Sequence, residues 1–162
     1  MKTGIGSSLL SLAALSFLAG CQAVPSAETR ETATRATTSR HTDRLLTIMT
    51  SPDAEVQMMS LVLTRAAQAN GMRLRLMLCG PAGELALKTP PETALTPFRP
   101  SGRSPSNLLD GLIAGGATVE VCAIFLPARD LTEDALRDGV GIAAPASIAG
   151  EFASPETRVL SF

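Results

Sequence analysis

The chain has 162 residues, 45% hydrophobic and 18% charged, with 14 basic side chains against 15 acidic and a single His. So even a balance leaves no electrostatic footprint for nucleic acid, and the absence of Trp and Tyr removes an aromatic platform for stacking bases. One His and three Cys are too few ligands for a His-based zinc enzyme or a four-cysteine site, so no metal or organic cofactor is expected.

In chain order, Met1-Lys2 supplies a small positive start and residues 5–19 run apolar, with Leu9, Leu10, Leu12, Leu15, Phe17 and Leu18 as the bulk. The run is short for a transmembrane helix, which needs about 20 apolar residues, and has the layout of a secretory signal. It ends in Leu18-Ala19-Gly20-Cys21, which resembles the lipobox of bacterial lipoproteins. That resemblance implies removal of residues 1–20 and lipidation of Cys21, making the bilayer a partner through several acyl chains. Gln22, rather than Asp, after the lipidated Cys favours the outer membrane, with the domain facing the periplasm. Residues 21–44 are rich in Thr, Ser, Ala, Glu and Arg without apolar periodicity and read as a tether. His41 lies there with no second ligand at metal spacing and reads as a solvated linker residue.

The domain is expected over residues 45–162. Leu45 to Met49 reads as a buried strand, and Asp53 and Glu55 suit the start of a helix that carries Val56, Met59, Leu63 and Ala67 and stops at Asn70-Gly71. Arg73 to Cys79 alternates, with Leu74, Leu76 and Leu78 on one face and Arg73, Arg75, Met77 and Cys79 on the other. A short helix around Ala82 to Leu87 follows, then a Pro-rich loop from Lys88 to Pro105, a length typical of lids and binding segments. Asn107 to Ala114 reads as a helix, Thr118 to Phe125 as a strand, and Thr132-Glu133-Asp134 as the start of a short helix. Val140 to Ala143 reads as a strand, Ala146 to Phe152 as a helix, and Val159 to Phe162 as the last strand. This alternation predicts a single three-layer α/β domain with a mostly parallel sheet of about five strands.

With Cys21 assigned to lipid, the chemistry-bearing candidates are Cys79 and Cys122, each at or near the carboxyl end of a strand, where open α/β sheets collect ligands. Three states are open: reactive thiols, small buried hydrophobes, or a Cys79–Cys122 disulfide. A bond needs Cα atoms within about 7 Å, and becomes awkward if the first strand separates the two Cys-bearing strands by roughly 9–10 Å. Gly80-Pro81-Ala82-Gly83 lacks the Lys-Ser/Thr of a phosphate loop, and Gly139 and Gly141 make no dinucleotide fingerprint. Ser51, Ser101 and Ser104 lack both a nucleophile-elbow context and an in-domain His. Arg99 and Arg103 read as loop charges; Asp110, Glu133 and Asp134 read as helix-face or helix-start charges.

One motif carries a resemblance. Val119-Glu120-Val121-Cys122-Ala123-Ile124-Phe125-Leu126-Pro127-Ala128-Arg129 resembles the strand and turn of the DsrE/DsrF-like sulfur-relay proteins, which carry a Cys after an alternating strand and an Arg seven residues later. Gly115-Gly116-Ala117, Leu131 to Asp134, Gly139-Val140 and the terminal Val159 to Phe162 fit the same rhythm. The likeness covers essentially residues 45–162. It implies a DsrE-like α/β domain, often a homo-oligomer, in which Cys122 accepts sulfane sulfur as a persulfide and passes it to a thiol-bearing protein partner without cofactor. Arg129 would favour the thiolate, and Cys79 is a weaker binding candidate. Asp130 stands where the family commonly has Gly. The alternative is a non-catalytic binding domain with a structural buried Cys.

Overall fold

The computed structural model describes residues 43–162; the segment expected to be a signal, the expected lipidation site Cys21, most of the expected tether and His41 lie outside the described residues. Five strands, β1 (Arg44–Met49), β2 (Arg73–Leu78), β3 (Thr118–Cys122), β4 (Val140–Ala143) and β5 (Thr157–Ser161), form one sheet in the order β4-β3-β2-β1-β5, and every pair is parallel. The helices are α1 (Ala54–Ala69), α2 (Glu92–Leu95), α3 (Pro105–Ala114) and α4 (Pro145–Ala153), with 3-10 segments at Gly80–Ala86, Pro127–Arg129 and Glu133–Ala135.

Local signals explain where α1 begins and ends. Asp53 caps it by accepting hydrogen bonds from the Glu55 and Val56 amides, and Gly71 takes a left-handed φ of 83° just past its end. α3 starts earlier than the periodicity predicts. Pro105 is its first-turn residue, and Ser104 and Asn107 form a reciprocal capping box ahead of it. The Pro-rich stretch before it is not wholly irregular, since α2 occupies one turn within it.

The period-two alternation of the strands divides the core. Leu45, Met49, Leu74, Leu76, Leu78, Val119 and Val121 point to the face covered by α1 and α3, where they pack with Leu61, Leu109 and Leu112. The opposite face is covered by α4, which packs Ile148 on Leu46 and Ala143. This is the layered arrangement a parallel sheet requires. On the α4 face, Arg75 holds Glu120 through two hydrogen bonds of 2.7 and 3.2 Å and donates to Ser147 Oγ of α4 at 2.8 Å. Glu151 of α4 adds an ion pair to the same Arg at 3.7 Å and accepts from Thr157 Oγ1 of β5. These polar links fix α4 over the amino-terminal half of the sheet.

A polar pair is buried on the other face. Thr47 of β1 and Thr64 of α1 are fully buried and their hydroxyls lie 3.0 Å apart. The Thr64 hydroxyl donates to the Ser60 carbonyl at 2.8 Å, so its only proton is used and Thr47 is the donor of the pair. Thr64→Val should therefore cost about 1–3 kcal/mol by stranding a buried donor, while the double variant with Thr47→Val should recover most of that loss. Urea denaturation of the four members of the cycle measures both.

Candidate functional site

The sheet register builds the site. Leu78 of β2 stands beside Val121 of β3, so the next residues, Cys79 and Cys122, are neighbours at the carboxyl edge. Both belong to the α4-facing series, Arg75, Met77 and Cys79 on one chain segment and Thr118, Glu120 and Cys122 on the other. Their Cα atoms are 5.2 Å apart and the sulfurs form a disulfide. The condition that would have made this bond awkward is not met, because β1 lies on the far side of β2 from β3. Both residues are half-buried, so the fully buried free-thiol state is not the one observed.

β3 stops at Cys122, three residues short of the strand read from the sequence. Its neighbour β4 ends at Ala143, directly opposite Cys122, so no ladder partner extends further. The chain turns instead, with the Phe125 amide donating to the Cys122 carbonyl at 2.9 Å. That turn drives the Phe125 ring into the core, where it is 1% exposed and rests against Gly83 of the 3-10 segment that follows Cys79.

Arg129 closes the arrangement. Its guanidinium lies 4.3 Å from the Phe125 ring centroid, donates to the Gly80 carbonyl at 3.2 Å and pairs with Glu84 at 3.7 Å. The Arg thus sits on the Cys79 side of the disulfide, tying the turn after Cys122 to the turn after Cys79. The next residue, Asp130, adopts a left-handed conformation with φ 52°. The turn therefore keeps the backbone shape that suits Gly, with Asp tolerated because its short polar side chain lowers the cost of that region. Asp130→Gly should raise stability by up to about 1 kcal/mol, read as a higher urea midpoint at unchanged slope.

Beside Cys122, on the α4 face, opens a cleft of about 300 Å³ lined by Met77, Cys122, Ile124, Ala143, Ile148 and Phe152 among others. No lining residue is ionisable in the disulfide state, and Ile124 and Phe152 at the rim are 76% and 56% exposed. Cys79 is not among the lining residues, so the cleft approaches the bond from the Cys122 side. Sequence reasoning missed this cleft because its walls come from three separate segments. No local sequence pattern marks it, since the exposure of Ile124 at its rim is a property of the fold. Among the described residues no group of His, Cys, Asp and Glu is placed to hold a metal, and no helix is long and apolar enough to cross a membrane. The other residues weighed from the sequence do not join the site. Arg99 and Arg103 are exposed in the Pro-rich segment, and Asp110 pairs with Arg137 at 2.7 Å.

Among the described residues, an all-parallel five-stranded sheet with helices on both faces makes an α/β domain of the layered kind, here with a cysteine pair at its carboxyl edge. No protein-family model and no curated protein matches the chain. Among solved structures it is similar to the ychN protein from E. coli, with a TM-score of 0.58 and 23% identity over 74% of this chain and 98% of that one. It is also similar to MTH1491, a protein of unknown function from Methanobacterium thermoautotrophicum, with a TM-score of 0.57 and 12% identity over 74% of this chain and 98% of the other. These likenesses establish the fold.

Proposed function

We propose that this chain is a lipid-anchored, periplasm-facing DsrE-like protein that handles sulfane sulfur through Cys122. The observation that carries the reading is the Cys79–Cys122 disulfide at the carboxyl edge of the sheet, with Cys122 lining an open cleft. A thiolate, not a disulfide, is the nucleophile, so the bond must first be reduced by a thiol donor. The Cys122 thiolate then attacks the outer sulfur of a persulfide, a new S–S bond forms on Cys122, and the donor leaves as its thiolate. Arg129, whose guanidinium is anchored at the Gly80 carbonyl and paired with Glu84, acts here by holding together the turns after Cys79 and Cys122. The lipobox-like Leu18 to Cys21 supports the bilayer as a partner, and Gln22 supports outer-membrane sorting. Transfer onward to a thiol-bearing protein, and assembly with further copies, are the family's expectations carried to this chain.

The test is intact mass of the reduced protein before and after a sulfane-sulfur donor. In a chain whose only thiol is Cys122 (Cys21→Ser with Cys79→Ser), a reductant-reversible gain of about 32 Da that disappears when Cys122 is also replaced by Ser supports the reading, and no gain on the folded Cys122-only chain refutes it. The second reading is a binding domain with a structural disulfide. It is favoured by one observation, that the bond cross-links two central strands across 43 residues of chain. It predicts no sulfur uptake under any condition.

A further inference from the structure

We propose that Cys79 is the resolving cysteine of this site, so that sulfur taken up by Cys122 leaves as hydrogen sulfide. The inference rests on the reading that Cys122 accepts sulfane sulfur. It makes the chain a reducer of persulfides whose spent state is the observed disulfide.

The placement of the two residues carries it. A sulfur on Cys79 reaches Cys122 without backbone movement, since the Cα atoms are 5.2 Å apart and the bond is already formed. Cys122 lines the open cleft and Cys79 does not, which makes Cys122 the residue a donor meets first. Cys79 lies behind it, in a turn fixed by the hydrogen bond that its own backbone N–H donates to the Met49 carbonyl at 2.8 Å and by Arg129 on the Gly80 carbonyl. A persulfide on Cys122 therefore has a nucleophile of the same chain held against its inner sulfur, whereas a partner's thiol must arrive by diffusion. Held groups of this kind react as though present at very high local concentration.

The chemistry balances in two steps. The Cys122 thiolate attacks the outer sulfur of R–S–SH; the donor S–S bond breaks, RS⁻ leaves and takes a proton, and Cys122 carries the persulfide. The Cys79 thiolate then attacks Sγ of Cys122, the bond to the added sulfur breaks, and HS⁻ leaves and takes a proton. Two thiols and R–S–SH become one disulfide, RSH and H₂S. The two cysteines lose two electrons and the sulfane sulfur gains them. A thiol reductant, small or protein-borne, restores the dithiol by ordinary exchange.

The experiment uses the full chain carrying Cys21→Ser, so that Cys79 and Cys122 are its only thiols. It is reduced, freed of reductant and mixed with one equivalent of cysteine persulfide, whose leaving group is cysteine and not sulfide. Hydrogen sulfide is measured against a donor-only control, and intact mass is followed in parallel. The expected result is about one equivalent of H₂S per chain and a mass about 2 Da below the reduced protein, while Cys79→Ser holds the 32 Da adduct at least roughly tenfold longer. Wild type holding the adduct as long as Cys79→Ser overturns the proposal. So does an adduct found on Cys79 in the Cys122→Ser variant, which would reverse the roles. No adduct on Cys79→Ser, with its fold matching the reduced wild type by circular dichroism, instead refutes sulfur uptake itself. Cys79→Ala serves as the second variant if the Ser form fails to fold.

Discussion

Reducing the Cys79–Cys122 bond should lower the melting temperature by on the order of 15 °C. The bond closes a loop with a sequence separation of 43, and the chain-entropy relation for a loop of that length gives about 4 kcal/mol of stabilisation at room temperature. For a domain of this size each kcal/mol is worth roughly 3–5 °C. The loop contains α2, α3 and most of β3, so the cross-link restrains nearly the whole middle of the domain in its unfolded state. Differential scanning calorimetry of the oxidised protein, the reduced protein and Cys79→Ser checks this. The reduced wild type and the variant should melt together, both well below the oxidised form. A reduced protein as stable as the oxidised one would mean that the bond adds nothing to the fold, and its presence would then need a purely chemical explanation.

Replacing Gly83 by Ala should cost about 1–3 kcal/mol, a large effect for a single methyl group. The reason is steric. A Cβ at residue 83 would lie 2.3 Å from two carbons of the Phe125 ring, a distance at which something must move. The ring cannot simply retreat, because it is 1% exposed and has the Arg129 guanidinium stacked 4.3 Å from its centroid. Relief has to come from the turn that leaves Cys122, so the same substitution should alter how fast Cys122 reacts after reduction. Phe125→Leu leaves more room, and the double variant should lose clearly less than the sum of the singles in urea denaturation. Additive losses would show that residue 83 and the ring are not in contact.

These two expectations share a cause that sequence reading reached only in part. The strands were legible because Leu74, Leu76 and Leu78 alternate with Arg73, Arg75 and Met77, and the end of α1 was legible in Asn70-Gly71. The same alternation had already put Cys79 on the polar-containing face. Strand order was not legible, since it depends on which crossover packs on which face, and it alone decides whether Cys79 meets Cys122. The turn after Cys122 was hidden for a related reason. Ala123 to Phe125 is apolar enough to continue a strand, and only the length of β4 says that it does not. Pro105 looked like the end of a loop when it is the first residue of a helix, a distinction made by Ser104 and Asn107 on either side. Arg129 was singled out as a companion to Cys122. It stands in the site but on the Cys79 side, held by an aromatic ring and a carbonyl that no sequence spacing announces. Asp130 shows the opposite case, in which a non-glycine residue occupies a left-handed turn position, with φ 52°.

The central claim is that Cys122 is a working sulfur at an accessible sheet edge. Its most direct test is the rate at which the reduced, folded chain carrying Cys21→Ser is alkylated, read residue by residue from peptide masses and compared with the rate in denaturant. Cys122 should be labelled in the native state, ahead of Cys79 and within about a hundredfold of an unfolded thiol. Labelling of both cysteines only on global unfolding would contradict it and leave the pair as a structural cross-link.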